Sequence, residues 1–429
     1  MKITYITAGA GGMYCGSCIR DNALATALSA RGHDVTLLPL YTPTRTDEEN
    51  VSQQRVFFGG ISVYLEQNVS LFRKTPWLLD RLWESPWLLR AVMGRGIETS
   101  PNQLGALAVS VLEGSHGHQR KELDKLVHWL KDQPRPDVLD ISNSLLIAIA
   151  GPLKDALGCP INCTLQGENI FIEGLLEPYR SRSKELIRSH LSHVDSFVAV
   201  SDYYAAYMTQ YLGIPGAKMQ VVPLGVNTGR FVPTGSSGGE APFTLGYLGR
   251  IAPEKGLHLL VHAYRNLRER GALEGCRIEL AGYLDQEHLP YWQSIEREVE
   301  TWGLAEEIHY RGELDLDAKT SFLQALDLFV APVVYDDPKG ISLIESMACG
   351  VPVVAPRRGS FTELLERTGG GVLLKSGSAE VLEQVLCDLI GDRDRLSVLG
   401  RSASEGIRDR YSIDHMTARA LDVYEHLVR

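Results

Sequence analysis

The sequence predicts an α/β protein built from two halves, each with a parallel sheet. Three observations predict this class. Short apolar runs alternate with longer helix-patterned segments over most of the 429 residues, as in sheets whose strands are joined by helical crossovers. Glycine-containing turns follow several of these runs, notably at 8–12, 249–256 and 337–340. A Pro-, Gly- and Ser-rich stretch at 233–240 divides the pattern into two halves.

Each predicted strand is a short run of apolar and β-branched residues bounded by turn residues. In the first half the predicted strands are residues 2–7, 34–41, 56–66, 137–142, 161–165, 196–200 and 219–223. In the second half they are residues 243–248, 277–281, 308–310, 328–332, 352–355 and 372–374. Helical patterns lie between most of them, including 17–31, 318–327, 341–349 and 413–427.

The stretch at 233–240 has the composition of a flexible linker. It predicts an N-terminal domain over 1–232 and a C-terminal domain over 233–412. The chain is long enough for two domains with complete hydrophobic cores.

The turn after the predicted strand 243–248 carries two cations. Gly249 allows a sharp turn without a side chain that would block a ligand. Arg250 and Lys255 flank the turn, and a guanidinium with a mobile ammonium can share the charge of a diphosphate. The alternative interpretation is two solvated surface cations. Because open α/β sheets bind ligands where strands end, we favour a phosphate site.

The turn after the predicted strand 328–332 carries two carboxylates. Gly340 opens a helix whose first N–H groups have no intrahelical partner and can bind oxygen atoms. Asp337 precedes that helix and Glu345 lies one turn inside it, so both can accept hydrogen bonds from sugar hydroxyls. The alternative for Asp337 is a charge that complements the helix dipole. Glu345 lies in an apolar stretch, and a buried carboxylate needs a partner.

Together these motifs resemble those of retaining glycosyltransferases of family 4. The resemblance rests on Gly-Arg-x-x-x-x-Lys-Gly at 249–256, on the acidic-x7-Glu element at 337–345 with the following 346–354, and on 223–227. It covers nearly the whole chain. It implies the GT-B architecture, in which two Rossmann-like domains face each other across a cleft. It also implies that the last helix, at 413–429, crosses back to the first domain.

The resemblance further implies a hexosyltransferase that moves a sugar from a nucleoside-diphosphate sugar to a hydroxyl acceptor with retention of anomeric configuration. By it, Arg250 and Lys255 bind the donor diphosphate and Glu345 binds the ribose. The remaining donor-site residues implied are Asp337, Gly340, Ile341, Ser342 and Leu343 for the sugar and phosphates, Gly282, Tyr310 and Arg311 for the base, and Gly11, Gly12 and Gly249 for the loops of the cleft. No metal and no cofactor are expected, because the nucleotide sugar is a substrate.

The chain departs from the family pattern at two positions. After the predicted strand 161–165 the family usually has a His that contacts the donor sugar and phosphate, and this chain has Gln166, which cannot carry a proton as imidazole does. The first acidic residue is Asp337 rather than the commoner Glu. Our hypothesis is front-face displacement, in which Arg250 and Lys255 stabilise the departing diphosphate, so that Gln166 need not act as a base.

Two other function classes stay open. A catalytically weak or silent sugar-nucleotide-binding protein of the same fold is compatible with Gln166 and Asp337. A nucleotide-dependent oxidoreductase would use the turn at 9–12, but it is disfavoured because the predicted second strand ends in Leu40 and Tyr41 rather than in an acidic residue.

Composition narrows the partners and the compartment. The formal net charge of -10 arises in the second half, since residues 231–429 hold 21 Lys and Arg against 31 Asp and Glu, which gives no case for nucleic acid. No apolar stretch approaches the ~20 residues of a spanning helix, and the start does not resemble a signal peptide, so we expect a cytoplasmic protein. Seven cysteines, an odd number, indicate reduced thiols, and the role of Cys15 and Cys18 is left open.

The acceptor is the least defined partner, and we expect a hydroxyl of a glycan, of a lipid-linked sugar or of a small molecule, as in polysaccharide biosynthesis. Residues 71–95 combine tryptophans, leucines and arginines. This pattern fits an acceptor groove, peripheral contact with the inner face of a membrane, or a helix packed on its own domain. Tyr64 and Arg180 are further acceptor candidates. The donor base, the sugar, the linkage and the oligomeric state are not specified by the sequence.

Overall fold

A computed structural model describes residues 1–9, 16–44, 46, 48–53, 55–58, 63, 66–67, 101–234, 242–271 and 275–429. The chain forms two compact units. The first consists of Met1–Val200, Tyr204–Val222 and Thr417–Arg429, and the second of Ser201–Tyr203 and Pro223–Met416. Each unit contains a six-stranded sheet whose paired strands are all parallel.

The sheet of the first unit has the strand order β2-β1-β3-β4-β5-β6. Its strands are β1 (Lys2–Thr7), β2 (Asp34–Pro39), β3 (Val138–Ile141), β4 (Ile161–Leu165), β5 (Ser196–Ala199) and β6 (Met219–Val221). Every residue of β3, β4 and β5 is buried, as expected for strands covered on both faces by helices. The order reverses between β1 and β3, so the turns after these two strands lie side by side.

The helices of the first unit lie between its strands. They are α1 (Gly16–Ala30), α2 (Pro101–Leu112), α3 (Arg120–Lys131), α4 (Ala150–Leu157), α5 (Asn169–Gly174), α6 (Tyr179–His190) and α7 (Asp202–Leu212), whose first two residues group with the second unit. The helix α1 buries Arg20, Asp21 and Asn22 among its apolar residues. Polar groups are therefore packed inside this unit.

The predicted strand at 56–66 is wrong in its described part. Phe57 and Phe58 are buried but belong to no strand, while Val63, Glu66 and Gln67 are helical. The ring of Phe57 packs against Trp129, with 5.3 Å between the centroids, so side-chain burial rather than a strand ladder explains the apolar run. Periodicity alone does not separate these two cases in a short apolar run.

The sheet of the second unit has the order β12-β11-β10-β7-β8-β9. Its strands are β7 (Phe243–Leu248), β8 (Cys276–Ala281), β9 (Ile308–Tyr310), β10 (Leu328–Val330), β11 (Val353–Pro356) and β12 (Gly371–Leu374). Its helices are α8 (Leu257–Glu269), α9 (Leu289–Thr301), α10 (Leu316–Gln324), α11 (Ile341–Ala348), α12 (Phe361–Thr368), α13 (Ala379–Ile390) and α14 (Arg393–Arg410). Here the order reverses between β7 and β10.

The two faces of this sheet are covered by two separate hydrophobic clusters. Leu328 and Val330 point into one cluster and Phe329 into the other, because side chains alternate along a strand. The first cluster contains the apolar face of α8, and the second contains that of α11. Both helices that open at the ends of β7 and β10 are thereby held against the sheet.

The last helix, α15 (Ile413–Val428), has residues in both units. In its first turn, the Ile413 N–H donates to the Val226 carbonyl at 2.8 Å within the second unit. Further along, the Tyr424 hydroxyl donates to Asp140 Oδ2 at 2.7 Å within the first unit. The described part of the chain has no helix long and apolar enough to cross a membrane.

Candidate functional site

The carboxyl ends of β7 and β10 form the edge at which the predicted donor residues collect. These strands are neighbours, with Leu328 paired to Leu245. The turn after β7 carries the predicted cations and the turn after β10 carries the predicted carboxylates. Because the strand order reverses here, the two turns diverge to opposite faces and leave room between them.

The turn after β7 is tightly built. The Tyr247 hydroxyl donates to the Arg250 carbonyl at 3.0 Å, and a short 3-10 helix covers Pro253–Lys255. Gly256 follows with a φ of 73°, and a Cβ at this position would lie 1.9 Å from the Pro332 carbonyl oxygen. The turn therefore touches the backbone after β10, and only glycine permits this approach.

This close approach brings Lys255 and Asp337 together. Lys255 Nζ lies 3.2 Å from Asp337 Oδ2 and also donates to the Tyr335 hydroxyl. The Tyr335 hydroxyl in turn donates to Asp337 Oδ2. The ammonium lies 4.8 Å from the centre of the Tyr335 ring. The Lys255 side chain keeps 24% of its surface exposed, so it stays accessible to a ligand.

The carboxylate of Asp337 has further partners on the backbone. Its Oδ1 accepts from the N–H groups of Lys339 at 2.9 Å and Gly340 at 3.1 Å. Burial alone would raise the pKa of Asp337, but the Lys255 ammonium, the Tyr335 hydroxyl and these two amides outweigh it and hold the pKa well below its ordinary value. Asp337 is therefore ionised and binds two amides of the turn that precedes α11. Its role towards the helix dipole stays a prediction.

Arg250 is arranged differently from Lys255. Its guanidinium pairs with Glu254 one turn away, and 42% of its side chain is exposed. The positive charge of Arg250 nevertheless acts on Tyr335, which contacts Lys255. Burial and Asp337 raise the pKa of Tyr335, and Arg250 opposes that rise. An exposed ion pair of this kind contributes only about 0–1 kcal/mol, so a diphosphate can replace Glu254 as the partner.

Glu345 has a buried partner that the sequence analysis missed. Lys319 Nζ lies 2.5 Å from Glu345 Oε1, and both side chains are at least nine-tenths buried. Lys319 lies on α10, three residues after Leu316 and four before Leu323, both of which are buried. A lysine on the apolar stripe of a helix is the signal that would have found it.

The start of α11 supplies backbone donors. Gly340 has a φ of 67°, and the first intrahelical bond runs from the Ile344 N–H to the Gly340 carbonyl at 3.0 Å. The N–H groups of Ile341, Ser342 and Leu343 come before that bond, so they have no acceptor within the helix. They form the anion-binding end expected of a helix N-terminus.

The turns after β8 and β9 lie against the turn after β7. Gly282 has a φ of 137°, and a Cβ on it would lie 1.9 Å from the Gly249 carbonyl oxygen. The Tyr310 hydroxyl donates to the Gly282 carbonyl at 2.7 Å. Arg311 is held by Glu279 through two hydrogen bonds of 2.6 and 2.9 Å. Gly282, Tyr310 and Arg311, which the resemblance assigns to the base, thus lie together beside Gly249, and their role in base binding stays a prediction.

Gln166 lies in the first unit, directly after β4. Its Nε2 donates to Asp21 Oδ1 at 2.9 Å and to the Ser142 carbonyl at 3.0 Å. Its backbone N–H and that of Gly167 donate to Glu168 Oε2, at 2.8 and 3.0 Å. The sequence analysis did not anticipate Asp21, because a single carboxylate in a helix gives no sign of its partners.

Some predicted residues fall on the undescribed part of the chain. Gly11, Gly12, Tyr64, Cys15 and the segment 71–95 lie outside the described residues. Arg180 is described, and it pairs with Glu177 at 2.8 Å on the surface. Its role in acceptor binding stays a prediction, as do the ligand roles of all the residues above.

Comparisons with known proteins decide the family. The model "Glycosyl transferases group 1" matches residues 236–405, and the model "Glycosyltransferase Family 4" matches residues 107–230. A lipopolysaccharide core biosynthesis mannosyltransferase, LpsB of Rhizobium meliloti, is 30% identical over 264 residues, which are 58% of this chain and 69% of that protein. This chain belongs to glycosyltransferase family 4.

Other family relatives and solved structures agree with this assignment. A GDP-mannose-dependent phosphatidylinositol monomannoside mannosyltransferase of Mycobacterium tuberculosis is 25% identical over 56% of this chain, and the match spans 64% of that relative's length. The sucrose-phosphate synthase of Thermosynechococcus elongatus has a TM-score of 0.72 at 17% identity, covering 100% of this chain and 99% of that one. Anabaena HepE in complex with UDP has a TM-score of 0.69 at 15% identity, covering 99% and 100%.

These structural matches show the fold of the family 4 chain, which is GT-B. At identities of 17% and 15% they show the fold alone. The predicted family and the predicted α/β class with two parallel sheets are confirmed.

Proposed function

We propose that this chain is a hexosyltransferase that transfers a sugar from a nucleoside-diphosphate sugar to a hydroxyl of a glycan or lipid-linked acceptor, with retention of anomeric configuration. Membership of family 4 supports the reaction class. Relatives that are GDP-mannose-dependent mannosyltransferases support a donor of the GDP-mannose type. Structural neighbours solved with UDP and UDP-glucose support nucleotide-sugar binding by this fold.

The observation that carries the proposal is the accessible ammonium of Lys255 at the point where the second sheet reverses its strand order. The group is positioned by Asp337 and Tyr335 and is not buried. Arg250 and the free amides of 341–343 border the same edge. A preorganised cation beside free N–H groups is suited to charge that develops on a diphosphate leaving group.

In the proposed reaction, the bond between the anomeric carbon and the diphosphate oxygen breaks, and the acceptor oxygen forms its bond on the same face of the sugar. The departing phosphate oxygen takes the proton of the acceptor hydroxyl. Arg250 and Lys255 balance the charge that stays on the diphosphate. The proposal requires no protein base, no metal and no cofactor, so activity is expected to be unchanged in excess EDTA.

The other candidate residues are assigned to the ribose, the sugar and the base of the donor. Glu345 is proposed to accept hydrogen bonds from the ribose, with Lys319 compensating its buried charge. Asp337 is proposed to hold Lys255 in place and to lie beside the donor sugar. The turns at Gly249, Gly282 and Tyr310 are proposed to contact the base through the backbone.

The Lys255→Ala variant tests the proposal. Turnover of GDP-mannose or UDP-glucose in the presence of acceptor glycans is expected to fall by about a hundredfold or more, the effect of losing a preorganised charge donor. Lys375→Ala is the matched control, because Lys375 is an exposed lysine of the same unit. Thermal unfolding of both variants separates a catalytic effect from misfolding. Full activity of Lys255→Ala contradicts the leaving-group role.

The catalytically silent binder is the second candidate, and it is favoured by the replacement of the family His by Gln166. It predicts nucleotide-sugar binding in calorimetry without transfer to any acceptor and without slow donor hydrolysis. Release of free nucleotide from a radiolabelled donor by the wild type, lost in Lys255→Ala, decides for the enzyme.

A further inference from the structure

The orientation of the Gln166 amide is determined by its neighbours. Its nitrogen faces Asp21 Oδ1 at 2.9 Å and the Ser142 carbonyl at 3.0 Å. Both neighbours are hydrogen-bond acceptors. Turning the amide over would place its oxygen against two acceptors, so only one orientation is compatible with the contacts.

The opposite end of the same amide is unsatisfied. Gln166 is 3% exposed, and no donor in the described part of the chain reaches its Oε1. A buried acceptor without a donor is destabilising, because the atom loses its hydrogen bond to water and gains none in the protein. Such an atom at the carboxyl edge of a sheet indicates that a ligand supplies the missing donor.

Asp21 is held as firmly as the amide that it orients. It is fully buried in α1 and accepts from the Thr7 hydroxyl at 2.9 Å. Arg20 Nη1 lies 3.3 Å from Asp21 Oδ1. Thr7 ends β1, Ser142 follows β3 and Gln166 follows β4, so three adjacent strand ends fix one amide.

We propose that Asp21 is a positioning residue. It fixes the Gln166 amide so that only Oε1 is available to a ligand, as the hydrogen-bond acceptor for a sugar hydroxyl. The group bound at Gln166 is then a hydroxyl and not a phosphate oxygen, because an ionised phosphate has no proton to donate and would face another acceptor. The hydroxyl belongs either to the donor sugar or to the acceptor glycan. This inference rests on the proposed function.

Protonation of Asp21 should release this orientation. Burial raises the pKa of Asp21 to about 6, although Arg20, Thr7 and Gln166 oppose the rise and Asp140 adds to it. The charged and titratable groups that act on the carboxyl are Arg20 on its own helix and Tyr5 and Asp140 on the strands. Tyr424 on the last helix acts on Arg20 and Asp140. Once protonated, Asp21 no longer requires a donor from the amide, so only the Ser142 carbonyl still fixes the orientation and the preference for a hydroxyl weakens.

The test compares two ligands that differ only in the sugar. Calorimetric affinities for GDP-mannose and GDP, and for UDP-glucose and UDP, are measured between pH 5 and pH 8. The ratio of the affinity for the nucleotide sugar to that for the nucleotide measures the contribution of the sugar. It includes the hydrogen bond to Gln166 if the hydroxyl belongs to the donor sugar. We expect the ratio to fall about tenfold in Gln166→Ala, close to one hydrogen bond. In the wild type it should also fall as the pH drops through about 6.

Two variants separate positioning from folding. Asp21→Asn lacks the charge that fixes the amide at every pH, so the ratio should stay near its low-pH value throughout and the pH step should vanish. Thr7→Val removes a hydroxyl that lowers the pKa of Asp21 but leaves the contact between Asp21 and Gln166 intact. It should keep the full ratio at pH 8 and move the step to higher pH. If Asp21→Asn does not fold, the wild-type profile and Thr7→Val still decide.

A second arm identifies an acceptor hydroxyl. Methyl α-mannoside is titrated into the complexes with GDP and UDP, and a loss of its binding in Gln166→Ala with an unchanged donor ratio assigns the hydroxyl to the acceptor. Unchanged donor ratios and unchanged glycoside binding in Gln166→Ala overturn this inference alone. Failure of the wild type to bind any of the nucleotides or nucleotide sugars overturns the proposed function, and this inference falls with it.

Discussion

At the scale of single residues, two buried aspartates show how partners decide a charge. Both Asp21 and Asp337 are desolvated by burial. At Asp337 the ammonium of Lys255, a tyrosine hydroxyl and two amides outweigh the burial, and the pKa falls. At Asp21 the burial outweighs the partners, and the pKa rises. The carboxylate of Asp337 is therefore suited to hold a cation, whereas that of Asp21 can change protonation near neutral pH.

Asp337→Asn should change the acid stability of the second unit. Because its folded pKa lies below its ordinary value of 3.8, ionised Asp337 stabilises the fold above that value, and this contribution is lost as the pH falls further. The variant should lose about 2 kcal/mol at pH 7, the scale of hydrogen bonds to a charged group, with a smaller loss at pH 3. Urea unfolding from pH 3 to pH 7 measures this, and Asp336→Asn, at an exposed neighbour, is the control. A loss that does not depend on pH contradicts the assignment.

Lys319→Met should expose the cost of an unpaired buried charge. Removing the ammonium leaves the Glu345 carboxylate buried without its 2.5 Å partner, which should destabilise the second unit by about 3–5 kcal/mol. The double variant Lys319→Met with Glu345→Met should recover most of that stability, because both charges are gone. If Glu345 binds the ribose, the double variant should fold but bind GDP-mannose weakly. Normal nucleotide affinity in the double variant would show that the pair serves the fold only.

The candidate site residues at the carboxyl ends of β7 and β10 were predictable, whereas their side-chain partners were not. The motif spacing led to Lys255 and Asp337, and the structure brings these two side chains together. The pairing of Arg250 with Glu254 was not anticipated, although the i,i+4 spacing on a turn permits it. The contact between Asp21 and Gln166 joins residues 145 positions apart, and nothing local encodes such a pair.

At the scale of elements, the turn after β7 depends on one glycine. Gly256 and Gly303 have nearly the same φ, 73° and 69°, but an added Cβ meets the Pro332 carbonyl only at Gly256. Gly303→Ala should therefore cost about 1–2 kcal/mol for the left-handed backbone alone. Gly256→Ala should cost clearly more and also weaken GDP-mannose binding, since the neighbouring Lys255 is displaced. Equal costs, measured by thermal unfolding, would contradict the close approach.

The strands were predictable wherever an apolar run ended in a turn signal. Residues 2–7, 161–165 and 243–248 are strands with the predicted bounds. The predicted strand 34–41 ends at Pro39, a difference of the size expected at the ends of elements. The run at 56–66 misled because Phe57 is buried by packing on Trp129 and not by a ladder. An apolar run in the sequence indicates that its residues are buried, but it does not indicate whether a strand ladder or side-chain packing buries them.

At the scale of the whole molecule, the last helix contributes to the interior of the first unit. The Tyr424 hydroxyl donates to the fully buried Asp140, which also accepts from Asn162 at 2.6 Å and Thr164 at 2.9 Å. Tyr424→Phe should destabilise the first unit by about 1–3 kcal/mol, because a buried acceptor loses a donor. In calorimetry the transition of the first unit should move to lower temperature while that of the second unit stays. His426→Gln, at an exposed position of the same helix, is the control. An unchanged first transition contradicts the anchoring role.

The repetition of one sheet type in both halves was predictable from the alternation of runs and helices, and it is observed as two sheets that each reverse their order once. The sharing of α15 between the units was expected only from the family resemblance. No local pattern in 413–428 distinguishes a helix that stays with its own half from one that joins the other, because an amphipathic stripe does not specify its partner.

The return of the chain end to the first unit has a consequence during synthesis on the ribosome. Asp140 and Tyr424 are separated by 284 positions, so the carboxylate is made long before the hydroxyl that caps it. Until residue 424 has been synthesised, the buried Asp140 lacks this hydrogen-bond donor, although domains generally fold in the order in which they emerge. A nascent chain stalled before residue 413 should be readily cleaved by proteases in its first half, and a synthetic peptide covering 413–429 should restore its resistance.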